Sequence, residues 1–171
     1  LNLDPACTWY LNVGGTLSST YATIANSDAS GGSRGIAGEG CVDGTGNSNW
    51  AFASVWDGGG ADNRWSTPEN WSDDVVPANG AIAVFNETSV DPCSLDITDT
   101  IAELLFTSSY IGEFDWGVDT LSITGDADFR SGGTMTGTGF AAFTGTATQA
   151  LYPHEADTIG AIFVAGSDTV T

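Results

Sequence analysis

The sequence predicts an all-β chain wound as a parallel β-helix (β-solenoid) with a Trp/Gly-rich irregular insert. Three observations carry that expectation. Helical periodicity is nearly absent, since the one candidate, Thr100–Phe106, is short and flanked by strand-type sequence. Apolar residues instead recur with period two or in short runs bounded by Gly, Asp, Asn or Ser, as strands do. One apolar residue from each of five successive runs, Phe85, Leu105, Ile123, Phe143 and Phe163, repeats at gaps of 20, 18, 20 and 20 residues. That spacing is the size of a solenoid turn, in which each coil stacks an apolar side chain on the previous one. A sandwich brings turn signals about every 8–12 residues; a pilin-like β-sandwich is the alternative.

Along the chain, residues 1–53 open with the strand-like Tyr10–Val13. A Gly/Asp/Asn-rich region from Ser27 to Trp71 follows, carrying Trp50, Trp56, Trp65 and Trp71. Four tryptophans make it an irregular insert pinned by aromatic packing, not a flexible linker, with residues 54–79 as a connecting motif. Residues 80–171 read as regular coils through Ala81–Phe85, Leu121–Thr124, Phe140–Phe143 and Ala161–Val164. Within them, residues 131–149 alternate Thr and Gly with small residues, which suits narrow strands and tight corners. The stacked core is expected at Phe85, Leu105, Ile123, Phe143 and Phe163.

The charge balance excludes several functions. The formal net charge is −19, from 22 acidic residues against 3 basic ones, and the three are Arg34, Arg64 and Arg130. Phosphate recognition needs a cationic footprint, so nucleic acid and anionic membrane surfaces are poor partners. With no lysine there is no Schiff-base or P-loop chemistry. His154 alone could serve as a catalytic imidazole, and it falls in a turn. A composition 41% apolar with 6 Trp is not that of a disordered acidic tail. No apolar run reaches the roughly 18 residues of a membrane span. Lacking an initiator Met and a signal peptide, the chain reads as a mature or excised piece. Its lysine-poor, Thr- and Gly-rich make-up suits a secreted or surface protein.

The two ends match. Joined tail to head, Ser167–Thr171 and Leu1–Asp4 place Val170, Leu1 and Leu3 at alternate positions, so the strand period survives the junction. Counting 20 on from Phe163 lands inside Tyr10–Val13, bringing Val13 into the same expected junction. No capping helix is evident, and an uncapped solenoid aggregates or polymerises. A head-to-tail contact repeats into an open filament. At about 4.8 Å per coil and roughly six to eight coils, one unit would advance about 30–40 Å. Separate subunits and repeats of one giant chain are both open.

Trp56-Asp-Gly-Gly-Gly-Ala-Asp-Asn-Arg-Trp65, Ser66-Thr-Pro-Glu-Asn-Trp71, Val75-Val-Pro77 and Ala83-Val-Phe85 together resemble a module of large bacterial surface proteins. In those autotransporter-like adhesins and tandem-repeat proteins, a WDGGG…WSxxxNW…VP opening leads into a right-handed parallel β-helix. Tyr21–Ser30, Cys41-Val-Asp43 and Asn47–Trp50 look like the closing coils of a preceding module. The resemblance departs at Ala81–Ala83, where the usual acidic residue is missing. It implies a cell-surface location and a frame from a tandem array, and brings no catalytic residues.

Candidate chemistry is sparse. Cys7, Cys41 and Cys93 are disulfide candidates, with Cys7–Cys41 and Cys7–Cys93 as competing pairs, the latter within one unit or between neighbouring ones, and a buried free Cys93 as the bland outcome. Asp43, Asn47 and Asn49 alternate oxygen ligands like a calcium loop but lack the trailing Glu of an EF-hand; the expectation is no cofactor other than this one possible calcium. Trp56, Trp65 and Trp71 would form the stacking platform if the chain is a glycan-binding adhesin module. The pairs Glu113/Asp115 and Asp126/Asp128 show only strand alternation, so no enzyme is expected. Asn70-Trp-Ser72 and Asn86-Glu-Thr88 match the N-glycosylation sequon. The leading expectation is a structural subunit or repeat of an extracellular filament or surface fibre, with itself as partner.

Overall fold

The computed structural model describes residues 7–15, 17–38, 40–77, 79–107, 110–129, 132–153 and 162–164. The chain divides into two compact units, Leu1–Ala53 and Ser54–Thr171. Each is a parallel β-solenoid, with about seven turns in all. No α-helix occurs among the described residues.

The first unit contains β1 (Trp9–Tyr10), β2 (Leu17–Ser19), β3 (Thr23–Ile24), β4 (Ser27–Asp28), β5 (Gly35–Ala37) and β6 (Val42–Asp43), and all but the last two residues of β7 (Trp50–Val55). Every pairing is parallel: β1 with β4, β3 with β6, β2 with β5 and β5 with β7. The chain therefore visits three faces in turn and comes back beside itself, with Trp9 next to Ser27 and Leu17 next to Gly35. The region beyond Ser27, expected to be irregular, is regular coil up to β7. Its Gly, Asn and Asp residues are corners, and Asn26, Thr45 and Asn49 take positive φ there.

The interior of this unit is built from small side chains: Ser27, Ala29, Ala37 and Ala51 are fully buried, with Ile24 beside them in the core set. Gly35 is required by a close approach, since a Cβ there would lie 2.5 Å from the Trp50 ring. That indole donates from Nε1 to Ser27 Oγ at 2.9 Å.

The second unit contains β8 (Ile82–Phe85), β9 (Cys93–Ser94), β10 (Asp99–Ile101), β11 (Glu103–Phe106), β12 (Glu113–Asp115), β13 (Thr120–Ile123), β14 (Ala127–Asp128), β15 (Thr134–Thr136), β16 (Phe140–Phe143), β17 (Leu151–Tyr152) and β18 (Ile162–Val164). They form three parallel sheets: β8–β11–β14–β17, β9–β12–β15 and β10–β13–β16–β18. The first three turns each place one strand on each face, and alternate side chains point inward, as Leu104 and Phe106 do in β11 and Leu121 and Ile123 in β13.

Three columns of side chains fill this interior. Phe85 and Phe106 are register partners whose rings stack at 4.6 Å and 6°, and Phe129 follows at 5.6 Å. Cys93, Phe114 and Met135 align on the second face, and Ile101, Ile123 and Phe143 on the third. The expected single column was therefore a composite. Phe85 belongs to the first face, whereas Ile123 and Phe143 belong to the third. Leu105 pairs with Val84 and Asp128 and is only half-buried, because its neighbours Leu104 and Phe106 take the inward positions. The backbone of Phe163 pairs with Ala142, one place off Phe143. The error has a physical origin: a coil of three strands lets a count of twenty step from one face to another. The observed return also varies, from Thr120↔Phe140 to Leu104↔Ala127, as corners change length.

Candidate functional site

The Trp-rich motif folds against the first coil of the second unit as one additional, irregular turn. Backbone N–H of Trp56 donates to Val84 O at 2.9 Å. Farther along, Trp65 N–H donates to Ser94 O at 2.9 Å and Ser94 N–H to Asn63 O at 2.7 Å, making Arg64 a parallel bridge partner of Ser94. Between them Gly58, at φ +64°, lets the chain reverse, and the short 3₁₀ turn Pro68–Asn70 delivers Trp71 back beside Trp56.

The motif turns its indoles inward. Trp56 and Trp71 meet edge to face at 5.3 Å, Trp65 and Trp71 at 4.7 Å, and Trp56 stacks on Phe85 at 5.8 Å. Each ring N–H has an acceptor: Asp91 O at 3.1 Å for Trp56, Asp99 Oδ2 at 2.8 Å for Trp65, and Trp65 O at 2.9 Å for Trp71. All three residues are 0% exposed, which overturns the expected glycan platform. A stacking platform has to present a ring face to solvent, and these faces are spent on one another and on Phe85. Burying three indoles, each of roughly 150–250 Å², outweighs leaving them exposed once their N–H groups are satisfied.

Asn70, which the sequence places both in the Trp-rich motif and in a sequon, is the polar centre of the motif. It is 0% exposed; its Nδ2 donates to Asp62 O at 2.8 Å and Arg64 O at 2.9 Å, while Oδ1 accepts from Gly60 N–H at 2.9 Å. Gln149 does the same at a later corner, accepting from Gly145 N–H at 2.9 Å and donating to Ile123 O at 2.9 Å and Gly125 O at 2.6 Å. A carboxamide offers donors and an acceptor together, which a corner lacking ladder partners needs. The sequence signal was faint: Asn70 stands between Glu69 and Trp71 and Gln149 between Thr148 and Ala150, with no local pattern that marks either as a buried corner residue.

The expected calcium ligands are occupied in the same manner. Asn47 Nδ2 donates to Ile24 O and Asp43 Oδ1, both at 2.7 Å, and Asn47 Oδ1 accepts from Ser27 N–H at 3.0 Å. Asn49 Nδ2 donates to Ala29 O at 3.0 Å. These side chains clamp one coil to the next, so the alternation of oxygens serves corners. No group of three or more His, Cys, Asp or Glu suited to a metal occurs among the described residues.

Cys7, Cys41 and Cys93 are all free thiols, so neither expected pairing forms within the chain; a Cys7–Cys93 bridge between neighbouring units would involve a second copy. Cys41 Sγ lies 3.4 Å from Ser19 O. Cys93 is buried on the inner column with Phe114 and Met135, and burial, then the charges of Asp96 and Asp115, push its thiol pKa well above the ordinary value. Tyr110, also fully buried, has its hydroxyl within 3.0 Å of Asp91 O and 3.1 Å of Glu113 O. Burial, with the nearby Cys93, Asp91 and Glu113 charges, raises its pKa above the usual phenol range. At the surface, Asp62 is held below the normal carboxylate range, chiefly by the Thr67 hydroxyl donating at 2.7 Å.

Of the expected junction, Leu1, Leu3 and Val170 lie outside the described residues, as do Arg130 and His154. Phe163 lies in β18. Val13 is not in a strand: β1 is Trp9–Tyr10, and Val13 O instead accepts from Ser33 N–H at 2.7 Å. Gly14 and Gly15 follow it and favour a turn over a continued strand.

Comparison with protein-family models, curated proteins and solved structures found no match. The β-solenoid fold stands on the coordinates alone.

Proposed function

We propose that this chain is a structural unit of an extracellular or cell-surface fibre that extends head to tail by stacking one coil on the next, without a catalytic role. The observation behind this reading is the set of one-sided strands. Among the described residues, β1, β2 and β3, which open the first unit, each pair with a single neighbour, as do β15 and β18 late in the second; β6 and β10 are one-sided as well. A parallel strand with one free side is a template for another strand in the same direction. Three such sides on successive faces suit the addition of a whole coil, and a contact between unlike ends propagates without closing. The net charge of −19 favours solubility and keeps finished fibres apart laterally. Tryptophan-mediated glycan binding has no support, because its indoles are inside.

The test is assembly of the purified chain. Negative-stain images should show filaments, and fibre diffraction a meridional spacing of about 4.8 Å. Ser18→Pro should stop elongation. The carbonyl of Ser19 accepts from Gly38, so by strand alternation the Ser18 amide points to the free side of β2. Proline there removes an outward donor without removing a ladder bond. Particles that stay monomeric at every concentration, or filaments indifferent to Ser18→Pro, would sink the reading. The denatured mass of native material separates stacked subunits from one long tandem chain.

A further inference from the structure

The chain carries two Asn-x-Ser/Thr sequons, Asn70-Trp71-Ser72 and Asn86-Glu87-Thr88, and the fold treats them in opposite ways. Asn70 is 0% exposed, and both ends of its carboxamide are bonded within the Trp motif. Its nitrogen already donates to two carbonyls, and Trp71 beside it is fully buried. A transferase acting on the folded chain cannot reach it without dismantling the aromatic core.

Asn86 is placed differently. It follows β8 directly, at the corner where the chain leaves one face of the solenoid for the next. The residue is half-buried, and Glu87 and Thr88 are exposed. Asn86 Oδ1 accepts from Thr88 N–H at 2.8 Å. This closes an Asx turn that brings the hydroxyl residue of the sequon close to the carboxamide. With the oxygen held by the Thr88 N–H, Nδ2 has no hydrogen-bond partner among the described residues and is the end left for an incoming group.

We propose that Asn86 is the N-glycan acceptor of the folded chain and that Asn70 is not. The donor would be a sugar activated as a nucleotide or lipid diphosphate. In the transfer, Asn86 Nδ2 forms a bond to the anomeric carbon while the bond from that carbon to the diphosphate oxygen breaks. The nitrogen gives up one proton to the transferase, and the diphosphate leaves with the electron pair. A sugar at this corner projects laterally, because Asn86 lies between strands of two faces.

The experiment uses the full folded chain, a soluble Asn-x-Ser/Thr-specific glucosyltransferase and UDP-glucose. A short synthetic peptide containing Asn86-Glu-Thr88 serves as a positive control for the enzyme. Intact mass should increase by a single hexose, mapped by peptide fragmentation to Asn86. Asn86→Gln and Thr88→Val should each abolish the addition; both positions are outside the core, and an unchanged circular dichroism spectrum verifies folding. Chain denatured beforehand should accept sugar at Asn70 as well, attributing the selectivity to the fold. Addition at Asn70 in the folded chain, or no addition while the peptide is modified, would overturn the proposal.

Discussion

The two units follow the same path, strand by strand around three faces, but fill it with different material. The first packs Ala29, Ala37, Ala51 and Ser27. The second packs Phe85, Phe106, Phe114, Phe129 and Phe143 together with four tryptophans. In the first, coil is tied to coil largely by polar clamps: Asn47 reaches Ile24 O and Ser27 N–H, and Trp50 reaches Ser27 Oγ. In the second, ring stacking does most of that work. Parallel winding therefore does not prescribe a core; backbone ladders set the path, and side-chain volume sets how wide each turn is. One unit should respond most to lost apolar area, the other to lost amides.

The largest expected effect is at Phe85, the hub between the Trp motif and the phenylalanine column. Phe85→Ala removes stacking on Phe106 at 4.6 Å and contacts to Trp56, Trp71, Tyr110 and Phe114. It should destabilise the second unit by about 3–5 kcal/mol in denaturant titrations followed by tryptophan fluorescence. A loss under about 1 kcal/mol would contradict an aromatic origin of stability there.

Next come the amides. Asn70→Ala leaves Gly60 N–H and two carbonyls without their partner and should cost about 1–3 kcal/mol. Asn47→Ala, which strips partners from Ser27 N–H and Ile24 O, should cost a similar amount in the first unit. Ile24→Val sharpens the comparison from the other side. Despite burial, it removes one methylene from a small-residue interior and should cost only about 0.5–1.5 kcal/mol. If Ile24→Val proved more harmful than Asn47→Ala, the first unit would be apolar-driven after all.

The smallest effects are titrations. Tyr110 has its folded pKa raised, so its neutral form is favoured by folding. That contribution is fully present below the unfolded pKa near 10 and is lost as pH rises from there towards the folded value. Through this residue stability should not vary with pH near neutrality and should decline in strong alkali, less steeply in Tyr110→Phe. Thiol labelling at pH 8 should modify exposed Cys7 first and reach Cys93 only on unfolding. Prompt labelling of all three thiols in the folded chain would refute the buried column.

Much of this was legible in the residues. Strand runs such as Phe140–Phe143, punctuated by Gly and Asp, announced the β class, and a spacing near twenty announced the coil. The membership of the columns was not legible. Leu104, Leu105 and Phe106 are all apolar, and only the position of the preceding corner decides that Leu105 points outward. Nor could composition distinguish an exposed indole from one sealed in the core, because Trp56, Trp65 and Trp71 are the same letters in either case. Asn47 reads equally as a ligand, a turn residue or a clamp until its neighbours from the adjacent coil are in place.

The sequence by itself determined the local matters: short strands, frequent corners, a lysine-free acidic surface and a coil of about twenty residues. These follow from backbone preferences and charge, which act within a few residues. The tertiary structure alone decided which residues share a face, which tryptophans are buried and which sequon is open. Those outcomes depend on contacts between residues a full turn apart, such as Phe85 with Phe106 and Asn47 with Ile24, and a full turn is where small differences in corner length accumulate.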